Sequence, residues 1–364
     1  MTAESRTILS VKSLKAYLYE KSRRTFNRVI QDATFDVKMG QITGLVGESG
    51  SGKTLTACSI LGILPHTPGI VGGKIIFRNK DGSQDMLEGI SDDRICKINQ
   101  NGNSLVIHKD LSAWNRLYNY EGRMKKLRGR EICIIMQGAK SSLNPYMTVM
   151  DQIVEGSEIG NHGNCDSDSV NKLMLELNLG PHANKFSNEL SGGTCFRVMI
   201  GMALAASPGL LIADEPTTGI DPPLQVKIVE LFEKYKSSIN SDTQHSPAML
   251  LITHQMHLVR RLADWIVVMY GGNVVERVRS QDLYSDNCHP YTAMLLRSAR
   301  VKNLCNRQNA IGTIGQKTDT SKDQKGCIFQ HHCPLVDKTC REEIPIWTEL
   351  SESHFIRCHH HDKL

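Results

Sequence analysis

The chain lacks any apolar run long enough to cross a membrane. Apolar stretches such as 210–213, 249–252 and 266–270 hold four or five residues, against the roughly 20 that a membrane-spanning helix requires. Residues 1–7 include Glu4 and Arg6 and have no apolar centre, so no secretory signal is expected there. A concentrated basic stripe is missing too. Lys and Arg number 43 against 38 Asp and Glu, a surplus too small to imply a nucleic-acid partner. No internal repeat is present, and no sustained heptad runs through 78–128. These absences leave a chain expected to remain in the cytoplasm, where thiols stay reduced. Its 11 cysteines then matter chiefly where they cluster, near the C-terminus.

At 364 residues and 40% hydrophobic, the chain can bury a core and is expected to form one large domain with an appendage. Strands are expected at 8–11, 29–37 and 41–46, the last running into a glycine-rich turn. A helix over 54–64 is closed by Pro65 and by Pro68 with Gly69. Residues 78–128, rich in Asp, Asn, Gly and Lys, read as a polar surface insertion. Residues 132–136 read as a buried strand and 170–177 as a helix. From Ser191 to Tyr270 the order helix, strand, helix, strand, strand implies a parallel sheet wrapped by helices. The main domain is placed at 1–298, a polar linker at 299–325, and a Cys- and His-rich region at 326–364.

The most informative stretch is Gly47, Glu48, Ser49, Gly50, Ser51, Gly52, Lys53 and Thr54. Two glycines, Lys and a hydroxyl residue at this spacing form a phosphate-binding P-loop pattern. Glycines let backbone N–H groups curl around phosphate oxygens, and the following helix start adds its positive end. Lys53 would neutralise β/γ charge, and the Thr54 hydroxyl would ligate Mg²⁺. About 160 residues later an apolar strand ends in Asp214 and Glu215. Asp214 is placed to hold Mg²⁺ through water, and Glu215 to orient or deprotonate an attacking water.

Between these two halves lie Leu190, Ser191, Gly192 and Gly193, followed by Arg197 and a helical run. Ser191 is a good N-cap, and the glycines leave that helix start open to an anion. This arrangement resembles the signature of the ABC ATPases, and further landmarks follow in family order. Gln137 is similar to the glutamine that touches Mg²⁺ or the attacking water, Asp221 to the D-loop aspartate, and His254 to the switch histidine at the γ-phosphate. The resemblance implies an α/β fold: a P-loop NTPase ABC-type nucleotide-binding domain with a RecA-like core, an antiparallel β subdomain and a helical subdomain. It implies ATP and Mg²⁺ as ligands, and two cassettes packed head to tail so that Ser191, Gly192 and Gly193 of one close over ATP at the other's loop. Phe196 stands where that family commonly has glutamine, and Gln255 where it has aspartate. Tyr17 and Tyr19 both flank the position of its base-stacking aromatic.

Ser142, Leu143, Asn144 and Pro145 with Thr148 and Val149 resemble peptide- and nickel-importer ATPases, as do His289, Pro290, Tyr291 and Thr292. Cys327, Cys333, Cys340 and Cys358, separated by five, six and 17 residues, resemble the C-terminal region of oligopeptide/dipeptide transporter ATPases. Four thiolates from a loop-rich segment suit a [4Fe–4S] cluster, favoured by the resemblance, or a tetrahedral zinc, with a metal-free tail as the plain alternative. The resemblance further implies two transmembrane permeases, a second ATPase subunit forming a heterodimer, an extracytoplasmic solute-binding protein, and a peripheral place on the cytoplasmic membrane face. Peptides are the first expectation for cargo, and nickel or a metal chelate the second. A soluble relative acting on ribosomes or DNA would be expected to carry two cassettes or a long coiled coil, and neither is here.

Overall fold

The computed structural model describes residues 7–20, 25–64, 68–80, 82–88, 96–98, 105–107, 111–218, 220, 222–239, 247–283, 287–301 and 325–364. Two long strands, β1 (Thr7–Glu20) and β2 (Thr25–Lys38), pair antiparallel. Next come β3 (Ile42–Val46), the glycine-rich turn and α1 (Lys53–Ile60). β4 (Pro68–Asn79) returns to β1, and β5 (Gly82–Asp85) pairs with β4. A small hairpin, β6 (Cys96–Ile98) and β7 (Leu105–Ile107), precedes α2 (Leu111–Leu127) and β8 (Ile132–Ile135). A run of helices follows: α3 (Ala139–Ser142), α4 (Val149–Gly160), α5 (Ser167–Glu176) and α6 (Gly192–Ala205). The chain then alternates through β9 (Leu210–Asp214), α7 (Pro222–Ile239), β10 (Ala248–Thr253), α8 (Met256–Leu262), β11 (Trp265–Tyr270) and β12 (Asn273–Arg279). It finishes with α9 (Pro290–Val301), α10 (Lys338–Glu342), β13 (Thr348–Ser351) and β14 (His354–Ile356).

One sheet organises these pieces, in the order β5-β4-β1-β2-β12-β11-β3-β10-β9-β8. Its β11, β3, β10, β9 and β8 are mutually parallel, and the antiparallel β1, β2, β4 and β5 extend the other edge. The parallel strands are apolar on both faces because both faces are covered. In β10, Met249 and Leu251 enter one apolar cluster and Leu250 and Ile252 the other; in β9, Leu211 and Ala213 alternate likewise with Leu210 and Ile212. Each such Leu or Ile contributes about 1.5–3 kcal/mol on burial, which fixes the strand register.

Two stretches differ from the sequence expectation. Residues 78–128 are not polar surface throughout: α2 turns Tyr120 and Met124 into the core at 2% and 1% exposure. Arg128 beyond it donates to the carbonyls of Leu61 and Gly62 at 2.7 and 2.8 Å. Two apolar residues one turn apart among charged neighbours give a helix face that composition hides. Helix α8, between β10 and β11, is seven residues long, too short to leave a periodic signal. Most of the expected linker, 302–324, lies outside the described residues.

The Cys-rich region is stitched to the core. β14 pairs antiparallel with β12, Glu276 opposite Ile356, and Cys327, Phe329 and Cys340 join the apolar cluster that holds Tyr291. Glu276 is fully buried and accepts hydrogen bonds from His354 Nε2 at 2.7 Å, the His289 N–H at 3.1 Å and the Thr292 hydroxyl. His289 Nδ1 in turn accepts the Tyr291 N–H at 3.1 Å.

That bond requires His289 neutral, and burial pushes its pKa down to about 4 against the pull of Glu276. Above about pH 6.5 the ring is neutral folded or unfolded. As pH falls from 6.5 toward 4, the unfolded chain takes up a proton that the folded chain refuses, so stability is lost in that window. Urea denaturation should find on the order of 2 kcal/mol less stability at pH 5 than at pH 7 from this group, and His289→Gln should flatten the slope.

Candidate functional site

The parallel register brings four strand ends side by side. Val46, the last residue of β3, lies opposite Thr253 of β10; Asp214 of β9 lies opposite Ile252, and Ala213 opposite Ile135 of β8. The segments that follow therefore emerge at one sheet edge: the 47–52 loop, Glu215, His254 and the exposed Gln137. Carboxyl ends of parallel strands are where such sheets form binding crevices.

Lys53 is only 6% exposed and folds over its own loop. Its Nζ donates to the Gly47 and Glu48 carbonyls at 2.9 and 2.8 Å and to Ser51 Oγ at 3.4 Å. Burial lowers its pKa, opposed by the charges of Glu215, Asp214 and Glu48. Gly52 sits at φ 106°, and a Cβ there would stand 2.8 Å from the Val29 carbonyl oxygen and from Met269 Cε. Ser49 and Gly50 are exposed, while Ser51 is buried.

Asp214 is 2% exposed. Burial raises its pKa, the Thr54 hydroxyl bond lowers it, Glu215 raises it and Lys53 lowers it. Among the described residues, its Oδ1 is buried without a hydrogen-bond partner. A buried carboxylate oxygen lacking a donor, beside a threonine hydroxyl and a lysine, has the chemistry of a hard-cation ligand.

Glu215 has φ 49°, unusual for a residue with a side chain. Its Oε1 lies 2.8 Å from His254 Nδ1 and 3.2 Å from the His254 N–H. Thr218 Oγ1 donates to Oε2 at 2.9 Å and Thr253 Oγ1 at 3.3 Å. The two hydroxyls were not singled out in the sequence; their spacing, three residues after Glu215 and one before His254, is the signal that could have found them. Ser191 caps α6, accepting the Thr194 N–H at 3.2 Å. Among the described residues Ser191 and Gly192 make no hydrogen bond to the loop, and both are exposed. A Cβ on Gly192 would meet nothing within 4 Å, so folding of this chain does not require glycine there. Phe196 points into the core at 6% exposure. Asp221 lies outside the described residues.

Residues 30–218 match the family described as ABC transporter, and residues 275–340 that described as oligopeptide/dipeptide transporter, C-terminal region. The chain belongs to the ABC transporter family. It is a transport ATPase of the cassette type, and that membership implies ATP and Mg²⁺. It is 33% identical over 360 residues to a protein of Sinorhizobium fredii named "Probable peptide ABC transporter ATP-binding protein", covering 96% of this chain and 94% of that one. It is 30% identical over 359 residues to the dipeptide transport ATP-binding protein of Escherichia coli K12, covering 97% and 96%. In fold it is similar to a dimeric bacterial ABC transporter cassette, with a TM-score of 0.56 over 76% of this chain and 100% of that one, at 18% identity. Among the described residues, no helix of this ABC protein is long and apolar enough to cross a membrane.

The cassette's C-terminal thiols gather as a set. Cys327, Cys340 and Cys358 are buried, Cys333 is partly so, and all four are free. Burial raises each pKa, to about 11 for Cys327 and Cys358, and the neighbouring thiols of the set raise Cys327, Cys333 and Cys358 further. Asp337, Cys340 and His360 place ligand atoms within 4.8 Å of one another, but Asp337 is already the N-cap of α10 and pairs with His360 at 3.3 Å. A contact absent from the sequence reading joins this end of the chain to the loop: Tyr291 Oη accepts the Glu48 N–H at 2.8 Å. Gly52→Ala should lower stability by about 1–3 kcal/mol in thermal denaturation, because it forces a side chain into a left-handed, crowded position.

Proposed function

We propose that this chain is the ATP-hydrolysing subunit of a peptide importer, bound to the cytoplasmic face of the membrane. The observation that carries the reading is the convergence of Lys53, Thr54, the unpartnered Asp214 Oδ1, Glu215 and His254 at one sheet edge. Backbone N–H groups of Gly50, Ser51, Gly52, Lys53 and Thr54 cradle the phosphates. Lys53 exchanges its loop carbonyls for β/γ oxygens. Thr54, Asp214 and Gln137 hold Mg²⁺, which when bound neutralises phosphate charge. Glu215, fixed by His254, Thr218 and Thr253, takes the proton of the attacking water, and His254 Nε2 is left for the γ-phosphate.

The exposed Ser191 and Gly192 and the half-buried Gly193 complete the site of a second cassette, a contact to which the family resemblance also assigns Asp221, so hydrolysis awaits a second ATPase subunit. A heterodimer, two transmembrane permeases and an extracytoplasmic binding protein complete the transporter. The relatives' names favour peptides over nickel. By resemblance, the tail is read as holding a [4Fe–4S] cluster on Cys327, Cys333, Cys340 and Cys358, with zinc or a metal-free tail as the alternatives. Such a cluster would cross-link the tail segments and compensate four thiolates.

In the assembled transporter, Glu215→Gln should retain ATP while turnover falls at least about 100-fold. Lys53→Ala should weaken ATP binding about 10- to 100-fold. Unchanged hydrolysis in Glu215→Gln would refute its role. Labelled dipeptide uptake should collapse in Lys53→Ala cells; intact peptide uptake with lost nickel uptake would instead identify the cargo as metal. Anaerobically purified protein should hold about four iron and four sulfide per chain, and stoichiometric zinc would overturn the cluster.

A further inference from the structure

We propose that Tyr291 is a positioning residue of the nucleotide site, through which the Cys-rich region braces the phosphate loop. The inference rests on the reading that the 47–54 loop binds ATP. Tyr291 is the second residue of α9 and fully buried. Its ring packs against Tyr270 at 4.6 Å between centroids and against Phe329 at 5.5 Å. Phe329 stands edge-on to Tyr270 at 5.1 Å and lies between the tail's Cys327 and Cys333. The backbone on either side is tied as firmly: Glu276 receives His289 and Thr292 and is itself held by His354 of β14. Phe329 of the tail and Tyr270 of β11 thus wall the phenol, while the tail's His354 anchors the start of α9 through Glu276.

That phenol reaches out of the cage to a single atom of the loop, the Glu48 N–H. The carbonyl of the same residue accepts Lys53 Nζ at 2.8 Å. Glu48 is therefore gripped on one side by Tyr291 and linked on the other to the cation that meets the phosphates. His332 of the tail also acts electrostatically on the Glu48 carboxylate. A loop that binds anions by backbone N–H groups depends on being held in shape beforehand, since ordering it on binding costs affinity. Removing the Tyr291 hydroxyl leaves the Glu48 N–H without its acceptor and loosens the peptide next to Lys53. The effect belongs to ATP binding and not to the chemical step, because Tyr291 touches neither Glu215 nor His254.

The test compares Tyr291→Phe, Phe329→Leu and Lys53→Ala in the purified transporter complex. Tyr291→Phe should raise KM for ATP about 3- to 10-fold and change kcat less than about twofold. Amide exchange in a peptide covering Glu48 should accelerate while exchange in β9 and β10 stays unchanged. Phe329→Leu, which keeps the hydroxyl but loosens its cage, should shift KM in the same direction by less. Should Tyr291→Phe lower Tm yet leave KM and Glu48 exchange at wild-type values, its role is structural only and the inference fails. If Tyr291→Phe does not fold, unchanged KM and exchange in Phe329→Leu overturn it equally. Loss of ATP binding in Lys53→Ala beside an unaffected Tyr291→Phe rejects the brace alone; normal binding in Lys53→Ala rejects the nucleotide reading beneath it.

Discussion

The constraint on which the site depends is the parallel ladder that runs from β3 through β10 to β9. Backbone hydrogen bonds set Val46 beside Thr253 and Ile252 beside Asp214, and everything chemical hangs from those ends. Because the strands are buried on both faces, a one-residue slip would move every side chain to the wrong cluster. The apolar packing that stabilises the sheet is therefore also what aligns a loop, two acids and a histidine drawn from segments about 200 residues apart.

Charge at that edge is arranged for something further. Lys53 and Asp214 each feel the other's charge and that of Glu215, and burial works against the ionised form of both. Among the described residues, Lys53 is satisfied by its own loop's carbonyls and a serine, while Asp214 keeps an oxygen without a donor. Buried polar groups are normally paired. Both features accord with the proposal that a metal–triphosphate completes this edge. Glu215 adds backbone strain, held in the left-handed region by its N–H bond to the Ile252 carbonyl and by the Thr218 N–H bond to its own carbonyl, the kind of outlier found where geometry serves chemistry.

The C-terminal region enters the same logic from beneath. Its cysteines make it look like an appendage, yet its strand pairs with β12 and its Phe329 packs on Tyr270 and Tyr291. A buried carboxylate, Glu276, ties His354 of the tail to the start of α9. Removing one partner from such a network leaves an uncompensated buried charge, which is costly. The tail and the cassette thus share one core.

The sequence by itself determined the local chemistry: a glycine-rich turn with Lys53 and Thr54, an apolar strand ending in Asp214 and Glu215, and a Ser191 cap on an open helix start. Each depends on residue type and short spacing, and short-range rules suffice to read them. It likewise determined the parallel character of the sheet, since strands alternating with helices over 191–270 need crossover connections. Only the tertiary structure decided that α2 buries Tyr120 and Met124, that Thr218 and Thr253 hold Glu215, and that Tyr291 reaches Glu48 across 243 residues. Those contacts join residues unremarkable in their own neighbourhoods. Their meaning arises from which strands lie side by side, and no local pattern encodes that.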